Sequence, residues 1–115
     1  EDLAIMRALP NMVVICPCDA IEAKKATHAM ARHPQPNYLR LSRSDMPILT
    51  TENTPFEIGR AEVLWDSAEN GKTADVTIIA CGQMVYQALL AAKQLNTKEK
   101  GSISVRVINC HTIKP

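Results

Sequence analysis

The apolar run MVVIC at residues 12–16 opens the stretch of residues 11–43 that decides the fold. Pro17 ends the run. Asp19 and Glu22 follow with the spacing of a helix capping box, in which Asp takes the usual place of Ser or Thr. The pattern predicts a strand over residues 12–16 and a helix over residues 20–31.

A break with two prolines, HPQP at residues 33–36, separates this helix from a second extended run at residues 38–42. Proline lacks the backbone donor and disfavours the helical conformation in the residue before it, so the helix must end here. A strand, a helix and a second strand form the unit of a parallel sheet. Ligands of open α/β sheets bind beyond the carboxyl ends of the strands. Arg43 directly follows the second run and is therefore the first candidate for a binding residue.

A second strand–helix–strand pattern occupies residues 75–110. Apolar, β-branched runs at residues 76–80 and 104–109 predict two parallel strands, and an apolar stripe over residues 84–95 predicts the helix between them. Residues 44–55 contain two prolines and three threonines without periodicity, which is typical of a linker. We therefore predict an α/β fold of two partial parallel-sheet units joined by a linker.

Two shorter segments complete the chain. Residues 2–9 carry apolar residues at helical spacing before Pro10, which predicts a short helix. Residues 56–65 alternate, and Gly59 interrupts the alternation, which predicts one bulged strand or two short strands.

The composition restricts the class of protein. Hydrophobic residues make up 46% of the chain and charged residues 22%, and the net charge is +1 without any basic block. These values indicate a globular core and argue against a nucleic-acid-binding face. No apolar run approaches the roughly 20 residues that a membrane span requires, and the start lacks a signal-peptide pattern. We expect a cytoplasmic protein without nucleic-acid or membrane partners. Both ends look cut from a longer polypeptide, so we expect a fragment.

The cysteines and histidines form no recognisable site. Cys16 and Cys18 lie two residues apart, which is not the usual spacing of zinc ligands, and the cysteine density is too low for a disulfide scaffold. We expect reduced thiols and no metal site. His28 and His33 lack a partner at catalytic spacing and are expected on the surface, whereas His111 follows a strand and is placed to line a cleft. We identify no catalytic residue.

Two features at strand ends bear on ligand binding. Gly82 connects a strand to a helix, but a dinucleotide fingerprint requires more glycines, so we interpret Gly82 as a tight turn. Strand alternation would place Arg40 and Arg43 on opposite faces, with Arg40 as a surface or interface charge. The guanidinium of Arg43 is either solvated or forked onto a phosphate or carboxylate, and the residues alone leave both open.

Several segments together resemble transketolases. The first part of the chain is similar to the end of the transketolase pyrimidine-binding domain. The similarity lies in residues 1–4 and 6–14, the turn with Pro17 and Asp19, and the tripeptide LSR at residues 41–43. DVTIIACG at residues 75–82, VRVIN at residues 105–109 and TIKP at residues 112–115 resemble the opening of the C-terminal domain. The resemblance covers essentially the whole chain and is closest to the kind encoded as a separate C-terminal subunit. It predicts a pyrimidine-binding part at 1–43, a linker at 44–57 and a C-terminal-domain part at 58–115.

The resemblance implies a thiamine-diphosphate-enzyme-like fold and a transferase that moves a two-carbon ketol unit between sugar phosphates of the pentose phosphate pathway. Thiamine diphosphate and Mg²⁺ would be bound mainly by regions outside this chain, between the subunits of a homodimer or beside a paired N-terminal subunit. The catalytic groups would precede Glu1, so the isolated fragment is expected to be inactive. Arg43 matches the family's arginine that binds the sugar phosphate.

Two alternatives stay open. Deoxyxylulose-phosphate synthases and the β subunits of 2-oxo acid dehydrogenases share several of these motifs, although the LSR tripeptide at residues 41–43 favours transketolase. A non-catalytic α/β ligand-binding or interaction module is the other alternative. An upstream Gly-Pro-Thr-His segment in the gene would support the enzyme.

Overall fold

The computed structural model describes residues 1–69, 71–97 and 103–115. None of the helices in these ranges has the length and apolar character needed to cross a membrane. The elements in chain order are α1 (Asp2–Ala8), β1 (Val13–Ile15), α2 (Ala20–Met30), β2 (Asn37–Leu39), β3 (Glu62–Asp66), β4 (Val76–Ala80), α3 (Met84–Leu95), β5 (Val105–Asn109) and β6 (Thr112–Lys114).

The first sheet has the strand order β2-β1-β6. Strands β1 and β2 are parallel, with Val14 opposite Tyr38, and α2 forms the crossover between them. This confirms the predicted first strand–helix–strand unit. Strand β6 pairs antiparallel with the other edge of β1, so the sheet is mixed rather than purely parallel.

The second sheet has the order β3-β5-β4. Strands β4 and β5 are parallel, with Ile78 opposite Val107, which confirms the second predicted unit. Strand β3 pairs antiparallel with β5 and carries a register shift between Val63 and Trp65. The expected bulged strand is therefore shorter than predicted, and its irregularity lies after Gly59, which sits in a turn with φ of 89°.

The predicted strands at residues 12–16 and 38–42 are both longer than the strands observed. The backbone N–H of Arg40 still donates to the carbonyl of Ile15, at 2.9 Å. Pro17 then removes the next backbone donor from the β1 side, so the ladder stops and the chain after Arg40 leaves the sheet. Arg43 consequently lies beyond the strand rather than at its last residue.

Strand β6 joins the two sheets through the chain itself. It follows β5 after only Cys110 and His111, yet it pairs with β1 in the first sheet. The backbone N–H of Cys16 donates to the carbonyl of His111, at 2.8 Å, immediately beyond this pairing. The carboxyl ends of β1 and β5 are therefore held beside each other.

Each sheet packs against its own helix. In the first sheet, Val13 and Ile15 pack with Ala26 of α2. In the second, Val105 and Val107 pack with Ala88 and Ala92 of α3, whose small side chains allow close approach. The same alternating face of β5 continues to Asn109, which is fully buried.

Candidate functional site

An open cleft of about 540 Å³ lies at the carboxyl end of β2, where the rule for α/β sheets places ligands. It is lined by Asp2, Tyr38, Leu39, Arg40, Leu41, Ser42, Arg43, Ser44 and Gln83.

Arg43 reaches this cleft from the loop after β2 and is exposed. The loop is fixed locally, since Ser42 Oγ accepts from the N–H of Ser44 at 3.2 Å. Ser42 Oγ also donates to Gln83 Oε1, at 3.2 Å. Gln83 directly precedes α3, so this contact brings the second unit into the wall of the cleft. The structure gives Arg43 no ion pair with any residue it describes.

Arg40 lines the same cleft, so the prediction that it faces away from Arg43 was wrong. The alternation fails because the strand ends at Leu39. The Arg40 Nε atom pairs with Asp2 Oδ2 at 3.2 Å, and the Tyr38 hydroxyl donates to the same oxygen at 2.8 Å. The Tyr38 hydrogen bond and the Arg40 charge lower the pKa of Asp2 below its ordinary value. Asp2 thus offsets the charge of Arg40, whereas Arg43 has no such counter-charge among the residues that the structure describes.

The amino end of α2 lies in a neighbouring cavity of about 380 Å³, but it is closed to an anion. Asp19 Oδ1 accepts from the N–H of Glu22 at 2.8 Å, and Oδ2 accepts from the N–H groups of Leu49 and Thr50. Burial raises the pKa of Asp19, but these hydrogen bonds outweigh it and the net shift is downward. The predicted helix cap is confirmed, and its carboxylate already occupies the positive end of the helix.

Glu22 departs from the predicted capping box. Its Oε2 atom accepts from the N–H of Cys18, at 2.7 Å, rather than from that of Asp19. Its Oε1 atom accepts from Asn109 Nδ2 of β5, also at 2.7 Å. Both side chains are almost fully buried. Glu22 therefore connects α2 of the first unit to β5 of the second through two buried hydrogen bonds.

The histidines divide differently from the prediction. His28 is exposed as expected, and His33 is half-buried. His111 does not line a cleft: it is fully buried, its ring stacks on Phe56 with centroids 4.3 Å apart, and Nδ1 lies 3.0 Å from Thr112 Oγ1. It is a core residue because β6 turns back onto β1 directly after it.

We expect the protein to lose stability as the pH falls below about 6.5, the ordinary pKa of histidine. Burial lowers the pKa of His111, against the opposing charges of Glu22 and Glu62. The unfolded chain therefore binds a proton at a higher pH than the folded chain does. The stabilisation is complete above the unfolded pKa and declines as the pH falls from there toward the folded pKa. Urea unfolding at pH 7.5 and 5.5 measures the loss.

His111→Phe keeps a stacked ring that cannot be protonated and should flatten the change in unfolding free energy between these pH values. His28→Gln changes an exposed histidine and serves as the control. His28→Gln should keep the pH dependence of the parent protein. If His111→Phe keeps it as well, His111 does not cause the loss of stability at low pH.

Gly82 forms the tight turn that the sequence predicts. Its φ angle is 55°, in the region that favours glycine, and its N–H donates to the carbonyl of Cys16 at 3.2 Å. The following Gln83 was missed as a cleft residue. The signal was present, since Gln83 lies just past a parallel strand, where Arg43 was recognised by the same rule.

The part of the chain that the structure describes holds no group of three or more His, Cys, Asp or Glu side chains arranged to bind a metal ion. The candidate site is the polar cleft lined by Arg43, Ser42 and Gln83.

Two family models match the chain, one at each end. The pyrimidine binding domain of transketolase matches residues 1–48, and the transketolase C-terminal domain matches residues 68–115. The two matches occur in the order that the sequence resemblance predicts.

Similar curated proteins carry transketolase names. A transketolase C-terminal section from Methanocaldococcus jannaschii is 43% identical across all of this chain. A 6-deoxy-6-sulfo-D-fructose transketolase subunit from a Clostridium species is 40% identical, again across all of the chain. The chain spans 34% and 33% of these proteins, which is about a third of their length.

A solved split-gene transketolase, an inactive β4 tetramer, has the same fold. Its TM-score is 0.86 at 40% identity, and the match covers 100% of this chain and 36% of that one. The α/β fold is thus that of a thiamine-diphosphate enzyme. Within that class, both family models and the named relatives agree, and the chain belongs to the transketolase family.

Proposed function

We propose that the chain is part of a transketolase that transfers a two-carbon ketol unit between sugar phosphates, and that Arg43 binds the phosphate. The observation that supports this most directly is the guanidinium of Arg43, without a counter-charge among the described residues, in a polar cleft at a strand's carboxyl end. A guanidinium presents two parallel donors that match two oxygens of a phosphate. Ser42 and Gln83 add neutral hydrogen-bonding groups beside it.

The anionic group of the substrate could be a phosphate or a sulfonate, and an experiment can distinguish the two. One relative is named for 6-deoxy-6-sulfo-D-fructose, a sulfonated sugar. A sulfonate presents oxygens to an arginine much as a phosphate does, but it carries only one negative charge. We favour the phosphate for this chain because the LSR tripeptide at residues 41–43 matches the family's phosphate-binding arginine. A direct comparison of the two substrate classes decides this point.

The proposed cofactor is thiamine diphosphate with Mg²⁺, bound mainly by regions outside residues 1–115. The match to the pyrimidine binding domain of transketolase supports this cofactor. When bound, thiamine diphosphate would supply a carbon nucleophile for the transfer. The residues of this chain would orient the substrate by its anionic end.

We propose that the chain works in an assembly, as a homodimer or with an N-terminal subunit, in the cytoplasm. The transketolase-subunit and C-terminal-section names of its relatives support a paired subunit.

We also propose the domain limits 1–43, 44–57 and 58–115. Within the linker, Leu49 and Thr50 bind Asp19, and the Thr51 and Thr54 carbonyls accept from Lys25 Nζ, each at 2.6 Å. The linker therefore packs along α2.

Ketol transfer should require the complete assembly. The full-length protein with its partner subunit, thiamine diphosphate and Mg²⁺ is expected to transfer a ketol unit between sugar phosphates, whereas residues 1–115 alone should give no product. The inactive β4 tetramer of the split-gene transketolase supports the second expectation. The measurement is product formation from a ketose phosphate and an aldose phosphate.

The same assay tests the alternatives. A deoxyxylulose-phosphate synthase would use pyruvate as the donor, and a 2-oxo acid dehydrogenase would use a 2-oxo acid of this kind. A transketolase would not, so we expect no product with pyruvate. Activity with pyruvate would reassign the enzyme, and an assembled protein without any activity would favour the non-catalytic module. Transfer by residues 1–115 alone would refute the proposed placement of the cofactor.

A further inference from the structure

We propose that Cys16 and Cys81 form a peroxide-reactive thiol pair that closes into a reversible disulfide between the carboxyl ends of the two sheets. Neither residue belongs to the proposed phosphate contact. The proposal rests on the position of the two thiols at the junction between the two strand–helix–strand units.

The two cysteines meet because β1 and β4 end beside each other. Cys16 directly follows β1, and Cys81 directly follows β4. The N–H of Gly82 donates to the carbonyl of Cys16 at 3.2 Å, so one backbone hydrogen bond connects the two chain segments. A Cβ atom at Gly82 would lie 2.7 Å from Cys16 Sγ, which shows that the sulfur lies directly against this turn.

Cys16 and Cys81 therefore lie opposite each other at the junction, on adjacent segments of the chain. A disulfide requires the two sulfurs to approach to about 2.05 Å, and two residues that face each other beside one backbone hydrogen bond are within the Cα separation that such a bond allows. Cys81 is half-buried and can be reached by a small oxidant, whereas Cys16 is buried. The exposed member can react first and the buried member second.

The surroundings make Cys81 the nucleophile. The neighbouring Cys16 thiol lowers the pKa of Cys81 to about 6, against the opposing effect of burial, and the charge of Arg40 contributes in the same direction. The Cys81 thiol in turn raises the pKa of Cys16, and burial adds to that increase. Cys81 is therefore the more acidic thiol of the two, which is the division that a reacting and a resolving cysteine require.

The reaction balances with hydrogen peroxide as the oxidant. The Cys81 thiolate attacks one peroxide oxygen, the O–O bond breaks, and Cys81 becomes a sulfenic acid while hydroxide leaves. The Cys16 sulfur then attacks the Cys81 sulfur, the S–O bond breaks, and the departing hydroxide takes the Cys16 proton to leave as water. The two thiols lose two electrons and the peroxide gains them. A dithiol reductant reverses the change.

The other two cysteines provide controls. Burial and the Glu22 charge raise the pKa of Cys18, so it is an unreactive thiol. Cys110 is half-buried like Cys81, but its Sγ contacts the Thr112 carbonyl at 3.5 Å rather than a second thiol. Cys110 therefore matches Cys81 in exposure but has no neighbouring thiol comparable to Cys16 among the contacts of the described residues.

Peptide mapping of the full-length protein tests the proposal. The protein is treated with hydrogen peroxide at pH 7, alkylated, and digested with trypsin without reduction. Cys16 and Cys18 share the peptide of residues 8–24, and Cys81 is the only cysteine in residues 73–93. We expect these two peptides to become linked, and to separate on treatment with dithiothreitol. Cys81 should be consumed roughly tenfold faster than Cys110.

Variants identify the partner. Cys18→Ala should retain the cross-link, which assigns it to Cys16. Cys16→Ala should abolish it and leave Cys81 as a sulfenic acid that dimedone traps, formed more slowly because Cys16 no longer lowers the pKa of Cys81. If Cys16→Ala fails to fold, the unmodified protein and Cys18→Ala still decide the question. A disulfide between Cys16 and Cys18, equal oxidation of Cys81 and Cys110, or oxidation of Cys81 without cross-linking would overturn the proposal.

Discussion

In the complete enzyme, Arg43→Ala should raise KM for phosphorylated sugars about ten- to more than a hundred-fold, with a much smaller effect on kcat. A charge-assisted hydrogen bond contributes about 1.5–3 kcal/mol, which corresponds to this range. The phosphate is remote from the bond that breaks, so its charge is nearly the same in the ground and transition states. Loss of such uniform binding is observed in KM. Steady-state kinetics with a phosphorylated acceptor measures the effect.

Arg43→Lys should recover only part of the affinity. An ammonium keeps the positive charge but cannot present two parallel donors. Arg60→Ala is the matched control, because Arg60 is an exposed arginine that pairs with Glu57 at 3.7 Å and does not line the cleft. It removes the same charge and should leave KM unchanged.

An unphosphorylated sugar should respond little to Arg43→Ala, since it lacks the group that the arginine binds. If phosphorylated and unphosphorylated sugars are affected alike, Arg43 has a structural role and the site assignment is wrong. If Arg43→Ala raises KM more for sulfonated sugars than for phosphorylated sugars, the cleft is adapted to the sulfonate instead.

The two parallel units could be predicted because their information is local. The residues of β1, α2, β4 and α3 carry their own periodicity, and Pro17 and Gly82 mark two of the boundaries. The antiparallel strand β6 could not be predicted in this way. It has three residues, too few to show a pattern, and its partner β1 is nearly the whole chain away. Its pairing is decided by tertiary contacts alone.

The candidate site divides along the same line. Arg43 follows from the rule for strand ends. The pairing of Arg40 with Asp2 and the contact of Ser42 with Gln83 do not, because each joins residues far apart in sequence. His111 was misplaced for a related reason. Its partner Phe56 comes from the segment before β3, and no local pattern indicates that this segment covers the end of β5.

Glu22→Ala should lower the free energy of unfolding by about 3 kcal/mol, the largest stability effect that we expect in this chain. The carboxylate accepts from the Cys18 N–H and from Asn109 Nδ2, each at 2.7 Å, and Glu22 is only 2% exposed. Its removal leaves the Cys18 N–H and one N–H of the Asn109 amide without an acceptor, while Asn109 Nδ2 keeps only its longer contact to Cys18 Sγ at 3.6 Å. Each buried donor that loses its acceptor costs about 1–3 kcal/mol. Urea unfolding of the full-length protein at pH 7.5 measures the change.

Glu22→Gln is the matched variant, because it keeps the volume and tests which property of the carboxylate matters. The glutamine oxygen can accept from the Cys18 N–H, but its NH₂ group would face the Asn109 NH₂ group. Asn109 Oδ1 is buried and has no hydrogen-bond partner among the residues described, so a flip of the Asn109 amide would turn an acceptor toward the glutamine. We therefore expect Glu22→Gln to cost about 1 kcal/mol, well below the cost of Glu22→Ala.

The double variant Glu22→Ala/Asn109→Ala should be more stable than the sum of its single variants predicts, because both single changes remove the same hydrogen bond. Asn109→Ala also removes one of the donors that Glu22→Ala leaves unsatisfied. This coupling identifies Glu22 and Asn109 as a connection between α2 and β5, and hence between the two units. Additive effects, or a Glu22→Gln variant as unstable as Glu22→Ala, would show that these hydrogen bonds do not determine the stability of the junction.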